Sequence, residues 1–371
     1  MAPIRILVVD DSVVTRKLLS DTLSGDPAFE VVGAASDGHI ALSKIPLLRP
    51  DLITLDIEMP VMDGLQTLAA IRRLNPKLPV IMFSTLTDRG AAATLDALSL
   101  GASDYATKPS DTGSPAVAIE RIRSELIPKI KALCGVATVS LSALARSRPA
   151  LKARVRSSPP RIDVVAIGTS TGGPNALTVV LPRIPEDFPV PIVVVQHMPP
   201  IFTKLLAERL ASRSAISVEE GRAGAVLAAG HAWIAPGNFH MKVMHAGVHR
   251  SLTINQAPPE NSCRPAVDVL FRSVAAAYGA NVLGVVMTGM GADGALGAQA
   301  IRDAGGEVFV QDEASSVVWG MPGVVYASGL ADAVYPLEQM AAQITRRVLQ
   351  SRVPRPNFEL KSYATLERPA K

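Results

Sequence analysis

Ser170 stands in Ile167-Gly168-Thr169-Ser170-Thr171-Gly172-Gly173-Pro174, after the apolar run Val164 to Ile167 and before the helix-like stretch Asn175 to Leu181. A serine on a strand-to-helix turn, flanked by glycines that leave its hydroxyl uncrowded, meets the mechanical requirement for a nucleophile. Two chemically matched residues occupy equivalent places. His197 follows the apolar run Ile192 to Val195, and Asp293 follows Val282 to Met287 within Thr288-Gly289-Met290-Gly291-Ala292-Asp293-Gly294. Ser170 would attack an acyl carbon, His197 would carry its proton to the leaving group, and Asp293 would hold the imidazole tautomer. The chain order Ser, His, Asp differs from the Ser, Asp, His order of α/β-hydrolases, so that fold's nucleophile elbow is excluded. Taken alone, the Ser170 turn reads equally well as a glycine-rich phosphate loop, although no Walker lysine follows and the Rossmann glycine spacing is absent. His197 alone reads as structural, and Asp293 alone as the cap of a helix beginning near Gly294. Their conjunction favours the triad.

A second group lies near the amino terminus. Asp10 and Asp11 close one apolar run, Asp56 another and Ser84 a third, and Lys108 follows a fourth just before Pro109. Three converging carboxylates repel one another unless a hard divalent cation is bound, which suits Mg²⁺. A lysine and a hydroxyl beside them suit a phosphoryl group carried on one carboxylate. The plainer alternative is helix capping by Asp10 and Asp11 with Lys108 as an ordinary surface charge.

The elements that must position these residues alternate in type. Strands are expected at Ile4–Val9, Phe29–Ala35, Leu52–Leu55, Val80–Ser84 and Asp104–Thr107, and helices near Ser12–Leu23, His39–Leu48, Gly64–Leu74, Gly90–Ser99 and Pro115–Cys134. Five βα repeats imply a doubly wound parallel sheet over residues 1–125. Gly135 to Arg161 is rich in Ala, Ser, Pro and Arg and reads as a mobile linker. From Arg161 to Arg352 the βα alternation resumes as a second, mostly parallel α/β domain. A hairpin-type insertion is expected there, with strands near Ala232–Ala235, His240–His245 and Val248–Asn255 and a turn at Ala246-Gly247. Further helices are expected near Ala266–Tyr278, Ala295–Ala304 and Leu337–Arg352, and residues 353–371 read as a disordered tail. In both domains the candidate residues follow strands, so they gather on the carboxyl-end rim where open α/β sheets bind ligands.

Composition narrows the function. The 371 residues are 48% hydrophobic, ample for two cores, and aliphatic side chains outnumber aromatic ones, as sheets buried on both faces require. The pI of about 9.1 invites a nucleic-acid reading. The charge is unevenly placed, however: net −4 over residues 1–125, +7 over 126–160, −1 over 161–352 and +2 over 353–371. The basicity belongs to the linker, which disfavours nucleic-acid binding by either domain. With no signal peptide and no bilayer-length apolar run, the chain is expected to be cytoplasmic and not inserted in a membrane. Cys134 and Cys263 read as inert free thiols without metal spacing.

The first half resembles the response-regulator receiver domain. The matching residues are Val9-Asp10-Asp11-Ser12, Asp56, Met59-Pro60-Val61-Met62-Asp63-Gly64, Ser84-Thr85, Gly101-Ala102, Tyr105 and Lys108-Pro109. The resemblance implies a flavodoxin-like (βα)5 fold with Asp56 as phosphoacceptor. Mg²⁺ would be held by Asp11, Asp56 and the Glu58 carbonyl, with Asp10 assisting. Ser84 and Lys108 would contact the phosphoryl oxygens, and Tyr105 would be the aromatic that reorients.

The second half resembles the catalytic domain of the chemotaxis protein-glutamate methylesterase/glutamine deamidase (CheB) family. The matching residues are the Ser170 turn, Gln196-His197-Met198-Pro199-Pro200, Ile234-Ala235-Pro236-Gly237-Asn238-Phe239-His240, Arg264-Pro265-Ala266-Val267-Asp268, the Asp293 loop and Gly320-Met321-Pro322. The resemblance implies Ser170, His197 and Asp293 as the triad and the Met290 amide as an oxyanion donor. Two residues depart from the family pattern: Ala266 where a serine is expected, and Val61 where a basic residue is expected.

The expected function is a phosphorylation-activated esterase. It would hydrolyse glutamate methyl esters, and deamidate glutamines, on the cytoplasmic helices of chemoreceptors, with the histidine kinase of the pathway as phosphodonor. Mg²⁺ would serve phosphorylation, while ester hydrolysis would need no cofactor. The alternatives are a phosphorylation-switched binding module without catalysis and a serine hydrolase for small metabolites.

Overall fold

The computed structural model describes residues 2–108, 114–135, 160–247 and 249–352. Strands β1 (Ile4–Val9), β2 (Phe29–Ala35), β3 (Leu52–Asp56), β4 (Val80–Ser84) and β5 (Asp104–Thr107) form a parallel sheet in the order β2-β1-β3-β4-β5. Every residue of β3, β4 and β5 is buried. Helices cover both faces, which is why these strands read as continuous apolar runs without alternation. The helices begin where short polar side chains can accept from exposed amides: Ser12 from Thr15 N, Asp63 from Gln66 N and Thr87 from Gly90 N.

The last helix of this half runs from Pro115–Arg121 through a π-helical turn, Ile122–Leu126, into Ile127–Leu133. Ile122, Leu126 and Ile130 are buried against Ile4, Ile6 and Val8 of β1. The beginning of the basic 126–160 segment is therefore a packed helix. The rest of the expected linker, 136–159, and the expected tail, 353–371, lie outside the described residues.

The second half holds a wholly parallel sheet in the order β14-β13-β12-β6-β7-β9-β8. Its strands are β6 (Val164–Thr169), β7 (Ile192–Gln196), β8 (Ser217–Glu220), β9 (His231–Ile234), β12 (Val282–Val286), β13 (Glu307–Gln311) and β14 (Ala333–Tyr335). The chain leaves β6 for β7 on one side and reaches β12 on the other. This places a topological switch point, with its open crevice, at the carboxyl end of β6.

The hairpin insertion is smaller than expected. Only β10 (His240–Ala246) and β11 (His249–Asn255) form it, with Ala246 paired to His249. The strand expected near Ala232–Ala235 is β9, which pairs in parallel with β7. The reason is burial: Ala232, Trp233 and Ile234 are all buried, so this strand needs cover on both faces. The hairpin instead alternates, burying Met241, Val243 and Leu252 with Leu270 and Val274 of the helix Val267–Tyr278. The helices Pro200–Ala211 and Met321–Ala327 and the strands β8, β13 and β14 were not anticipated; β8 carries the polar sequence Ser-Val-Glu-Glu at a sheet edge.

The two halves share packing. One buried apolar cluster contains Leu98 and Tyr105 of the first half together with Phe202 and Leu206 of the second. The helix Asp88–Ser99 lies against the helices Gly173–Val180 and Pro200–Ala211.

Candidate active site

Strands β6 and β7 are neighbours in register, with Thr169 opposite Gln196, so the next residues of each, Ser170 and His197, emerge side by side. The His197 N–H donates to Thr169 O at 3.2 Å, and the Ser170 N–H donates to Thr288 O at 3.0 Å. Gln196 Nε2 donates to Ser170 O at 3.0 Å, and the Gly173 N–H reaches the same carbonyl at 2.8 Å. The turn needs glycine at 172, where φ is +77°, and at 289, where a Cβ would lie 2.8 Å from Ser170 Cβ.

Asp293 is buried and holds five donors. Its Oδ2 meets His197 Nε2 at 2.8 Å and accepts from Val267 N at 2.6 Å. Its Oδ1 accepts from Asp268 N at 2.9 Å, Asn261 Nδ2 at 2.9 Å and Gly294 N at 3.0 Å. Burial alone would raise the Asp293 pKa, but the bond to His197 and its charge, with the backbone donors, hold it below the ordinary value. Burial disfavours the His197 imidazolium, yet the bonds to Asp293 and to Cys263 outweigh it and lift the pKa to about 10.

Asp293 thus pairs with His197 and caps a helix at once, although that helix is not the one expected. The helix Val267–Tyr278 begins after Ala266, which has no capping side chain, and the Asp293 carboxylate takes the buried first-turn amides of Val267 and Asp268. This gives the Ala266 departure a local account: the acceptor a serine would supply at that position comes from Asp293. Val61, the other departure, lies exposed in left-handed backbone, φ +68°, on the loop after β3.

The structure brings His197 and Asp293 together and sets Ser170 beside them, but among the described residues no hydrogen bond joins Ser170 Oγ to the imidazole. The other ring nitrogen, Nδ1, meets Cys263 Sγ at 3.5 Å. Cys263 is therefore not an isolated thiol, as sequence suggested. It reaches the site on the segment between β11 and the helix at Val267, where Asn261 also sits. The Met290 N–H has no acceptor among the described residues and lies one residue after Gly289, which packs against Ser170.

In the first half, Lys108 Nζ lies 2.9 Å from Asp10 Oδ2 and 2.7 Å from Asp56 Oδ2. Burial, then the charge of Asp10, raises Asp56 to about 6, against the pull of Lys108. Burial likewise raises Asp10. Ligand atoms of Asp10, Asp11 and Asp56 lie within 4.8 Å of one another, and the buried Asp10 Oδ2 and Asp56 Oδ2 have no well-aligned hydrogen-bond donor. An all-oxygen cluster of three converging carboxylates, with Lys108 the cation now beside two of them, fits Mg²⁺. The Glu58 N–H donates to Asp56 Oδ1 at 3.3 Å, so the Glu58 backbone is adjacent. Ser84 is buried nearby, but its hydroxyl donates to Gly90 O at 3.1 Å and not toward Asp56.

Tyr105 faces the other way, into the second half. Its ring stacks on Phe202 with centroids 4.7 Å apart, and burial pushes its phenol well above the ordinary range. Next to it, Asp104 Oδ2 accepts from Thr171 Oγ1 at 2.8 Å, one residue after Ser170. Asn175 Nδ2 donates to Leu98 O at 2.7 Å, and Arg209 pairs with Asp96. Sequence singled out Tyr105 but offered no signal for its partner or for the contacts of Asp104, Asn175 and Arg209, since each pair joins residues from different halves.

Comparison with known proteins finds two family matches along the chain. Residues 165–344 match the CheB methylesterase family and residues 6–120 the response regulator receiver domain. A protein-glutamate methylesterase/protein-glutamine glutaminase of Trichodesmium erythraeum is 54% identical over 352 residues, covering 94% of this chain and all (100%) of that protein. The chain belongs to this family. A Nocardioides relative of the same name is 49% identical, covering 95% of this chain and 97% of its own. The CheB methylesterase catalytic domain of Thermotoga maritima, a solved structure, is 40% identical with a TM-score of 0.50, covering 50% of this chain and 99% of that domain. Among the described residues no helix is long and apolar enough to cross a membrane.

Proposed function

We propose that this chain is a phosphorylation-regulated protein-glutamate methylesterase and protein-glutamine glutaminase, with Ser170, His197 and Asp293 as its catalytic residues. The observation that carries the assignment is the His197–Asp293 pair at 2.8 Å, fixed by backbone donors beside the Ser170 turn. Ser170 Oγ attacks the glutamyl ester carbonyl and passes its proton to neutral His197. Nε2 is held by Asp293, so the accepting nitrogen is Nδ1. The Met290 N–H donates to the oxygen as it gains charge. Collapse releases methanol with the proton from the imidazolium, or ammonia when glutamine is the substrate. Water, activated by the same imidazole, then frees Ser170 and leaves a glutamate side chain.

The substrates are cytoplasmic helices of chemoreceptors, and the phosphodonor is a histidine kinase of the same pathway. Asp56 accepts the phosphoryl group. Asp11, Asp56 and the Glu58 carbonyl, with Asp10 assisting, would hold Mg²⁺, whose charge would offset that of the phosphoryl group. Lys108 contacts the phosphoryl oxygens, and Ser84 joins it by releasing Gly90 O. Movement of Ser84 and Tyr105 loosens the cover over Ser170, a shift between packed and open populations. The Thr171–Asp104 bond supports this reading, because it ties the receiver to the nucleophile's own turn. The test is methanol release from radiolabelled methylated receptors, with and without a small phosphodonor. Ser170→Ala should abolish release at either condition, and wild-type turnover by that variant would remove Ser170 from the mechanism.

A further inference from the structure

Cys263 Sγ lies 3.5 Å from His197 Nδ1, and the opposite nitrogen of the same ring lies 2.8 Å from Asp293 Oδ2. In a tetrahedral zinc site with Zn–S of about 2.3 Å and Zn–N of about 2.0 Å, the sulfur and nitrogen ligands stand about 3.5 Å apart. The two atoms are thus spaced as one edge of such a site. A carboxylate on the far nitrogen is also what orients a zinc-ligating imidazole and makes it more basic, and Asp293 fills that place. Ligand atoms of His197, Cys263 and Asp293 all lie within 4.8 Å of one another.

The sulfur is held in place by its segment. Arg264 donates to Asn238 Oδ1 and to the carbonyls of Gln256 and Ala257. Glu260 accepts two bonds from Arg272, at 2.7 and 2.6 Å, and Asn261 bonds Asp293. Cys263 is a half-buried free thiol, so an ion can reach it. Thiolate with imidazole selects Zn²⁺ over Mg²⁺ or Ca²⁺.

We propose that Cys263 and His197 form a binding site for a thiophilic divalent cation, Zn²⁺ being the ion that fits, and that its occupation stops hydrolysis. Binding releases the Cys263 thiol proton, and the Nδ1 proton wherever the imidazole is charged, to solvent and forms the metal–sulfur and metal–Nδ1 bonds. The remaining positions go to water. Nδ1 is the nitrogen that must accept the Ser170 proton, so the metal and the reaction exclude each other. This inhibitory half rests on His197 being the base; the binding half does not.

The test uses the reduced full-length chain titrated with Co²⁺ in place of Zn²⁺. A thiolate-to-cobalt charge-transfer band should rise to one ion per chain and be displaced by Zn²⁺. The Asp10–Asp11–Asp56 cluster contains no sulfur and cannot produce that band. Cys263→Ser should lose the band and weaken binding by at least about 100-fold, while Cys134→Ser keeps both. Saturating Zn²⁺ should cut wild-type methanol release by at least about 100-fold, reversibly with chelator, as expected for loss of the base. Cys263→Ser, compared with its own metal-free rate, should be insensitive. No band in the wild type, or a band that survives Cys263→Ser, overturns the site. A band accompanied by undiminished methanol release overturns the inhibition. If metal-free wild type releases no methanol, the esterase reading fails instead, and the absorption band still decides the site.

Discussion

Asp293 shows how one side chain serves two ends. Its carboxylate caps the helix Val267–Tyr278 and engages His197. Asp293→Asn keeps the shape but presents an amide N–H where one oxygen accepts, and it favours the wrong imidazole tautomer. Turnover should fall by roughly 10⁴-fold. Retention of most activity in a methanol-release assay would leave Asp293 with capping alone. The pH profile follows from the same pair. His197 must be neutral to act as base, and its pKa is raised to about 10, so the competent fraction grows as pH rises toward that value. Plotted against pH, kcat/KM should still be climbing above about pH 8, where an unperturbed histidine of pKa about 6.5 would have levelled off. A plateau already reached near pH 7 would show that the raised pKa does not govern catalysis.

At the scale of elements, the receiver strand β5 and the Ser170 turn after β6 meet through Asp104 and Thr171. Asp104 also accepts from its neighbour Tyr105 N and pairs with Lys129 at 3.4 Å, so it anchors the segment that carries the stacked Tyr105. Phe202, the stacking partner, belongs to the helix Pro200–Ala211, which starts three residues after His197. Displacing Tyr105 therefore acts on both the Ser170 and His197 sides of the site. Asp104→Ala removes a buried, charge-assisted contact of about 1.5–3 kcal/mol. In the full chain without phosphodonor it should raise methanol release severalfold and reduce the further gain on adding phosphodonor. An unchanged basal rate with an intact fold by circular dichroism would place the restraint elsewhere in the interface.

At the scale of the molecule, the receiver packs on the carboxyl-end rim of the second sheet, beside the Ser170 turn, through the first residues of β5 and the last turn of the helix Asp88–Ser99; on the proposed function, that is where a receptor helix must enter. A bulky substrate is sensitive to such cover. Residues 155–371 alone should hydrolyse receptor esters faster than the unphosphorylated full chain. Phosphodonor should bring the full chain toward the fragment's rate and leave the fragment unchanged. The matching Thermotoga domain, solved in isolation, supports the expectation that such a fragment folds. Equal rates for fragment and unphosphorylated full chain would leave the receiver only a localising role.

The sequence by itself determined what local chemistry can specify. Apolar runs closed by Asp56, Ser84, Ser170 and His197 mark strand ends, because a strand buried on both faces must be apolar until it leaves the sheet. Which residues share a rim follows from the parallel βα alternation. A short run near a hairpin carries no mark of the strand it pairs with, so the sequence assigns β9 to the hairpin while it pairs with β7. β8 is polar and β14 is only three residues long, and both lie at sheet edges, so neither gives the long apolar run of a central strand. Only the tertiary structure decided the contacts between distant segments. Cys263 and Asn261 approach His197 and Asp293 from a loop with no periodicity, and Asp104 meets Thr171 across 67 positions of chain. Such pairings depend on how whole elements pack, and no window of sequence contains both partners.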